Sequence, residues 1–127
     1  METDEGYERN VWRVINAELG LTAIRIPERY GGQGFGFGEQ CIVLEETGRA
    51  LLCAPYFATA VLAAGAILNA GTETEKQALL PGIASGETIG TLAWVEDNGR
   101  WGAEGTTLTG TGADGETVLN GHKTLRG

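Results

Sequence analysis

Apolar residues recur at helical spacing from Tyr7 to about Gly86, and beyond that point the sequence changes to threonine, valine and glycine. This switch constrains the fold more than any other feature. The first eighty or so residues predict helices joined by short connections, which pack as an antiparallel bundle. Residues 87–127 leave room for only three or so short strands, too few to close a sheet or barrel. The fold class expected is therefore mainly α: a bundle of about four helices over 1–86, then an incomplete small β domain over 87–127.

Local signals place the four helices. Tyr7, Val11, Ile15 and Leu19, with Val14 beside them, give one apolar face to a helix over 7–19, and Gly20 suits its C-terminal cap. A second helix is expected from Phe37 to Leu51, with Glu39 in its first turn and Cys41, Leu44, Gly48 and Leu51 as its buried stripe. Gly48 in that stripe predicts a second backbone packed close by. The third runs from Pro55 to Asn69 and is ended by Gly71. Thr72 and Glu75 match a capping box opening the fourth, which Pro81 is expected to interrupt.

Residues 50–72 carry no formal charge, which raises the question of a membrane span. Pro55 belongs in a first helical turn, and the helix of 15 residues that follows is only about 22 Å long. The hydrocarbon core is about 30 Å thick, so a buried, close-packed helix is expected and no membrane association. After Gly86, Thr88–Val95 reads as a buried strand, and Asn120-Gly121 as the turn of a hairpin.

Charge and cysteine content narrow the function further. A net charge of −8 and a pI near 4.5, with no cluster of lysine or arginine, exclude an ordinary nucleic-acid binder. The two cysteines, Cys41 and Cys53, lie in apolar segments without metal-ligand spacing, and are expected as reduced core thiols of a cytoplasmic protein. No metal site is expected. His122 stands without a nearby nucleophile or acid at useful spacing, and the adjacent Glu45 and Glu46 point different ways on a helix, as surface groups do.

The stretch Ile26–Glu39, IPERYGGQGFGFGE, holds five glycines between Gly31 and Gly38, and such loops can wrap phosphates. Here the spacing fails. A dinucleotide loop needs G-x-G-x-x-G, and the third position falls on Phe37, Glu39 or Cys41 in the three possible frames. No G-K-S/T follows, and acids flank the loop. A tight connection between two helices, needing positive φ and close backbone approach, is the expected role.

That loop, as GLTAIRIPERYGGQGFG, resembles the signature after the first helix of acyl-CoA dehydrogenases. The resemblance continues in phase through LEETGRAL, GTETEKQALLPGIASGE and DGETVLNGHK, whose L-x-G-x-K falls on Leu119, Gly121 and Lys123. It implies an N-terminal helical domain and the first strands of a middle β domain. In the family, FAD lies between the middle domain and a C-terminal helical bundle, and a glutamate of that bundle removes the α-proton of an acyl-CoA while the flavin accepts a hydride from the β-carbon. Among the present residues the resemblance therefore implies no catalytic residue.

The resemblance further implies that Leu92, Trp94 and Val95, in TLAWVEDNG, line the flavin ring. The family's Thr-Glu-Pro at this point is here Val95, Glu96 and Asp97, so the threonine that bonds the flavin is replaced. NGRWGAEG stands where Gly-Ser-Asp helps hold the pyrophosphate. In the intact enzyme acyl-CoA is the implied substrate and a homo- or hetero-oligomer the implied assembly. This chain alone is expected neither to turn over acyl-CoA nor to retain FAD. A non-catalytic relative that docks with full-length dehydrogenase subunits is the alternative. Trp94 and Trp101 also have a plainer reading, as large residues covering a sheet face.

Overall fold

A computed structural model describes residues 6–113 and 115–124. The chain divides into two compact units, Met1–Leu92 and Ala93–Gly127. Four helices build the first: α1 (Arg9–Ala17), α2 (Phe37–Arg49), α3 (57–70) and α4 (Glu73–Ala84). In α3 a π-helical stretch, Phe57–Ala63, runs into the α-helical Ala64–Ala70. The second unit holds one antiparallel hairpin, β1 (Gly110–Ala113) with β2 (Glu116–Leu119). The chain is thus mainly helical with a small β piece, as its sequence pattern predicts.

The charge-free segment is the central helix of the first unit. Ala60 joins Trp12, Ile15 and Tyr56 in one buried cluster, against which Val43, Leu44 and Leu52 pack. Ala63 and Ala64, a turn further on, join Ile26, Tyr30, Leu80 and Ile83 in another. Small side chains on α3 let both clusters approach its backbone. Leu80 and Ile83, with 0% and 2% of their surface exposed, each stabilise the fold by about 1.5–3 kcal/mol through burial. No helix among the described residues is long and apolar enough to cross a membrane.

Several helix ends follow their sequence signals. Gly20 takes the left-handed conformation at φ 62°. The Thr72 hydroxyl accepts from the Glu75 amide at 3.3 Å, and the Glu75 carboxylate accepts from the Thr72 amide at 2.7 Å. Pro81 does not interrupt α4, which continues to Ala84. The lost amide bond is tolerated because the last turn buries Ile83 and Ala84.

The buried face of α2 is rotated from the one expected, whereas that of α1 keeps Tyr7, Val11 and Ile15 against the core and is wider than expected. On α1, Trp12 and Asn16 are buried as well, while Leu19, past the helix end, is exposed. The Trp12 indole donates to the Gly86 carbonyl at 2.8 Å, and Asn16 accepts from the Thr22 hydroxyl at 2.8 Å. Tyr7 precedes the helix and meets Trp12 edge-on, with ring centroids 6.4 Å apart. On α2 the inward side carries Gln40, Val43, Leu44 and Thr47, whereas Cys41, Gly48 and Leu51 are exposed. No backbone packs against Gly48. Both cysteines are exposed rather than core, and the Cys53 sulfur lies 3.4 Å from the Gly6 carbonyl oxygen.

Thr88–Val95 is not a strand. The Thr88 amide donates to the Gly82 carbonyl at 2.9 Å, and the Thr59 hydroxyl bonds both the amide and the carbonyl of Gly90, at 3.3 and 3.2 Å. A helix carbonyl and a side chain thus take polar groups of Thr88 and Gly90 that a ladder would have used. The hairpin turns between Ala113 and Glu116, with Gly115 at φ 83°, and not at Asn120-Gly121. Gly121 sits against the tip of the Leu108 side chain, which would have to shift to admit a methyl group there.

Candidate functional site

The glycine-dense loop folds as a closed connection. Gly31 and Gly34 have φ of 82° and 70°, and any side chain at Gly32 would overlap the Ile26 carbonyl. Four consecutive amides point home: Gly32 bonds the Pro27 carbonyl at 3.2 Å, Gln33 that of Ala23 at 3.0 Å, Gly34 that of Ile26 at 2.9 Å and Phe35 that of Ile24 at 2.9 Å. A phosphate cradle needs free amides aimed at the ligand. At residues 32–35 the chain has consumed them, so geometry as well as spacing speaks against a phosphate cradle there.

One polar anchor lies beneath α2 and α3. Gln40, with 0% exposure, donates to the Ala60 carbonyl at 3.1 Å and accepts from the Arg25 guanidinium at 3.2 Å. Tyr56 donates from its hydroxyl to the Leu21 carbonyl at 3.2 Å. Burial pushes the Tyr56 phenol up, with the Gln40 side chain acting the other way. These groups fix the entry to the π-helical stretch, a rare conformation that recurs at functional positions.

Leu92 is half-buried at the end of the first unit. In the second unit Val95 is half-buried, and Trp94 leaves 44% of its surface to solvent. Trp101 is 72% exposed. The Val95 carbonyl accepts from the Thr124 amide at 2.8 Å.

Next to Val95, Glu96 is the buried hub of the second unit, at 7% exposure. Its carboxylate accepts from the amides of Thr107 and Leu108, each at 2.9 Å, from the Thr107 hydroxyl, and from the Lys123 ammonium at 2.8 Å. The Lys123 ammonium first, then the Thr107 hydroxyl and the two amides, lower its pKa to about 2. Four donors aimed at one carboxylate favour its charged form. Asp97, Asn98, Asn120 and His122 border an open cleft beside it, and His122 stands 3.4 Å from Asp97 with both side chains exposed. No group of three potential metal ligands converges among the described residues.

The sequence reading placed Glu96 only as a departure from a pattern and gave it no role. Its partner lies 27 residues away, and the available signal was Lys123 in L-x-G-x-K. Gln40 had no sequence signal at all, being a polar residue on a face expected to be apolar. Glu45 and Glu46 are exposed as expected, and Glu46 pairs with Arg49 at 2.9 Å.

Comparison with known proteins supplies the family. Residues 1–87 match the acyl-CoA dehydrogenase N-terminal domain. The mitochondrial isovaleryl-CoA dehydrogenase of Arabidopsis thaliana is 35% identical over 116 residues, covering 90% of this chain and 28% of that protein. Among solved structures, the ChsE4-ChsE5 complex from Mycobacterium tuberculosis superposes with a TM-score of 0.79 at 30% identity, over 94% of this chain and 31% of that one. A structure of the electron transferring flavoprotein of Acidaminococcus fermentans gives a TM-score of 0.77 at 28% identity, over 92% of this chain and 31% of that one. The chain spans about three tenths of the length of these relatives. It belongs to the acyl-CoA dehydrogenase family, of which it carries the N-terminal helical domain and a piece of β structure.

Proposed function

We propose that this chain is the N-terminal part of an FAD-dependent acyl-CoA dehydrogenase, with a domain division near Gly86, and that by itself it neither retains FAD nor oxidises acyl-CoA. The match of residues 1–87 to the family's N-terminal domain carries this reading. In the intact enzyme the bound flavin would accept the hydride removed from the β-carbon of the thioester. This chain's own contribution is binding and orientation, through Leu92, Trp94 and Val95 against the flavin ring.

The residues present suit part of that cofactor. An exposed indole beside half-buried Val95 offers a flat apolar surface to an aromatic ring. The pyrophosphate finds no comparable fit. Lys123 is committed to Glu96, and the open cleft beside it carries Asp97. Ring contact without a phosphate anchor supports weak contact and no retention. Gel filtration of the purified chain after incubation with excess FAD tests this. Protein eluting without flavin absorbance is expected, and a stoichiometric flavin peak on the protein would overturn it.

A second reading keeps the family and changes the role: a non-catalytic module that docks on full-length dehydrogenase subunits. Exposed Ile42, Leu51 and Phe57 favour it, as does the match to a two-component complex. Co-purification with a full-length dehydrogenase is its expected result, and a soluble monomer with no bound partner would count against it. Under both readings the protein works in a homo- or hetero-oligomer in the cytoplasm.

A further inference from the structure

Among the described residues, both buried apolar clusters are built from the first unit. In the second unit the buried side chain, among the described residues, is the carboxylate of Glu96. Glu96 reaches the 107–108 segment through three hydrogen bonds and the 123–124 segment through the Lys123 ammonium. The adjoining Val95 carbonyl is held by the Thr124 amide at 2.8 Å. Two separate stretches of chain therefore converge on two consecutive residues, one of them a proposed flavin-facing residue.

We propose that Glu96 and Lys123 are positioning residues for the Trp94–Val95 face, fixing its backbone so that the indole is presented in one orientation. This rests on the flavin-facing reading of Trp94 and Val95 given above. Lys123 is 20% exposed at its side chain and Glu96 8%, so the pair is shielded from solvent and from salt far more than a surface ion pair. Removing one partner leaves the other buried charge uncompensated, which is more disruptive than losing both. The two residues are thus expected to act as a unit.

Amide and indole NMR spectra of the 127-residue chain test this, with Glu96→Gln, Lys123→Met and the double variant compared. The expected result is that both single variants move the Val95 amide and Trp94 indole signals, reduce amide-exchange protection at Thr107, Leu108 and Thr124 by about tenfold or more, and leave α1–α4 signals in place. The double variant should fall short of the sum of the two. Unchanged Val95 and Trp94 signals in both single variants would overturn the positioning role. Helical signals in the first unit report separately on whether a variant folds.

A second arm separates this proposal from the flavin reading. Excess FAD should shift the wild-type Trp94 indole signal and shift it less in Glu96→Gln. If FAD shifts wild type and Glu96→Gln equally, the positioning role fails while the flavin reading stands. If FAD shifts neither, the flavin reading fails, and the role toward flavin falls with it.

Discussion

The Nε2 of Gln40 donates to the carbonyl oxygen of Ala60 at 3.1 Å, joining α2 to the π-helical stretch of α3 in the centre of the first unit. The same side chain holds Arg25 through its oxygen. Replacing Gln40 by alanine removes both bonds and leaves a cavity at a fully buried position. A loss of about 2–4 kcal/mol is expected. Chemical denaturation followed by circular dichroism measures it. A loss below about 0.5 kcal/mol would show that the amide is not the anchor described.

The glycine-dense loop makes a graded prediction. A methyl group at Gly32 meets the Ile26 carbonyl, whereas one at Gly31 meets open space and strains only the backbone. Gly31→Ala should destabilise by about 1 kcal/mol, from its positive φ alone. Gly32→Ala should destabilise by about 2 kcal/mol or more, because main chain must move. Equal melting temperatures for the two variants would contradict the close approach.

Leu51 is a non-glycine residue at φ 49°, just past the end of α2, and is 87% exposed. Its amide bonds the Gly48 carbonyl at 3.1 Å and the Leu52 amide bonds that of Thr47 at 2.9 Å, a helix-ending pattern that favours glycine at position 51. Leu51→Gly should raise stability by about 0.5–1 kcal/mol, as little packing is lost. A lower melting temperature for this variant would mean that Leu51 makes a packing contribution its exposure does not suggest.

Acid should loosen the second unit before the first. The folded pKa of Glu96 lies near 2, against an ordinary value of 4.5. A depressed carboxylate stabilises the fold fully above its unfolded pKa and loses that contribution as pH falls toward the folded one. The loss therefore spans about pH 4.5 to 2. Amide signals of Thr107 and Leu108 should weaken across that window in wild type and show no such titration in Glu96→Gln. A pH-independent pair of signals in wild type would contradict the linkage.

What could be read from the sequence divides along physical lines. Thr72 with Glu75, Gly20, and the glycines at 31–34 act through neighbours a few residues away, and each does in the structure what its local chemistry predicts. The buried face of α2 was misread, and that of α1 drawn too narrowly, because Asn16 and Gln40 are polar and are buried with Thr22 and Ala60 as partners. Burial of Glu96 likewise needs Lys123 from the far end of the unit. Thr88–Val95 has strand composition, yet its polar groups are claimed by Gly82 and Thr59. Such outcomes depend on tertiary partners that no local window contains.

The most direct measurement of the central claim is anaerobic flavin reduction. Purified chain is mixed with excess FAD and an acyl-CoA, and flavin absorbance is followed over time. The family reading, with the catalytic bundle outside this chain, predicts bleaching no faster than for free FAD with the same thioester. Bleaching that scales with protein concentration would contradict it.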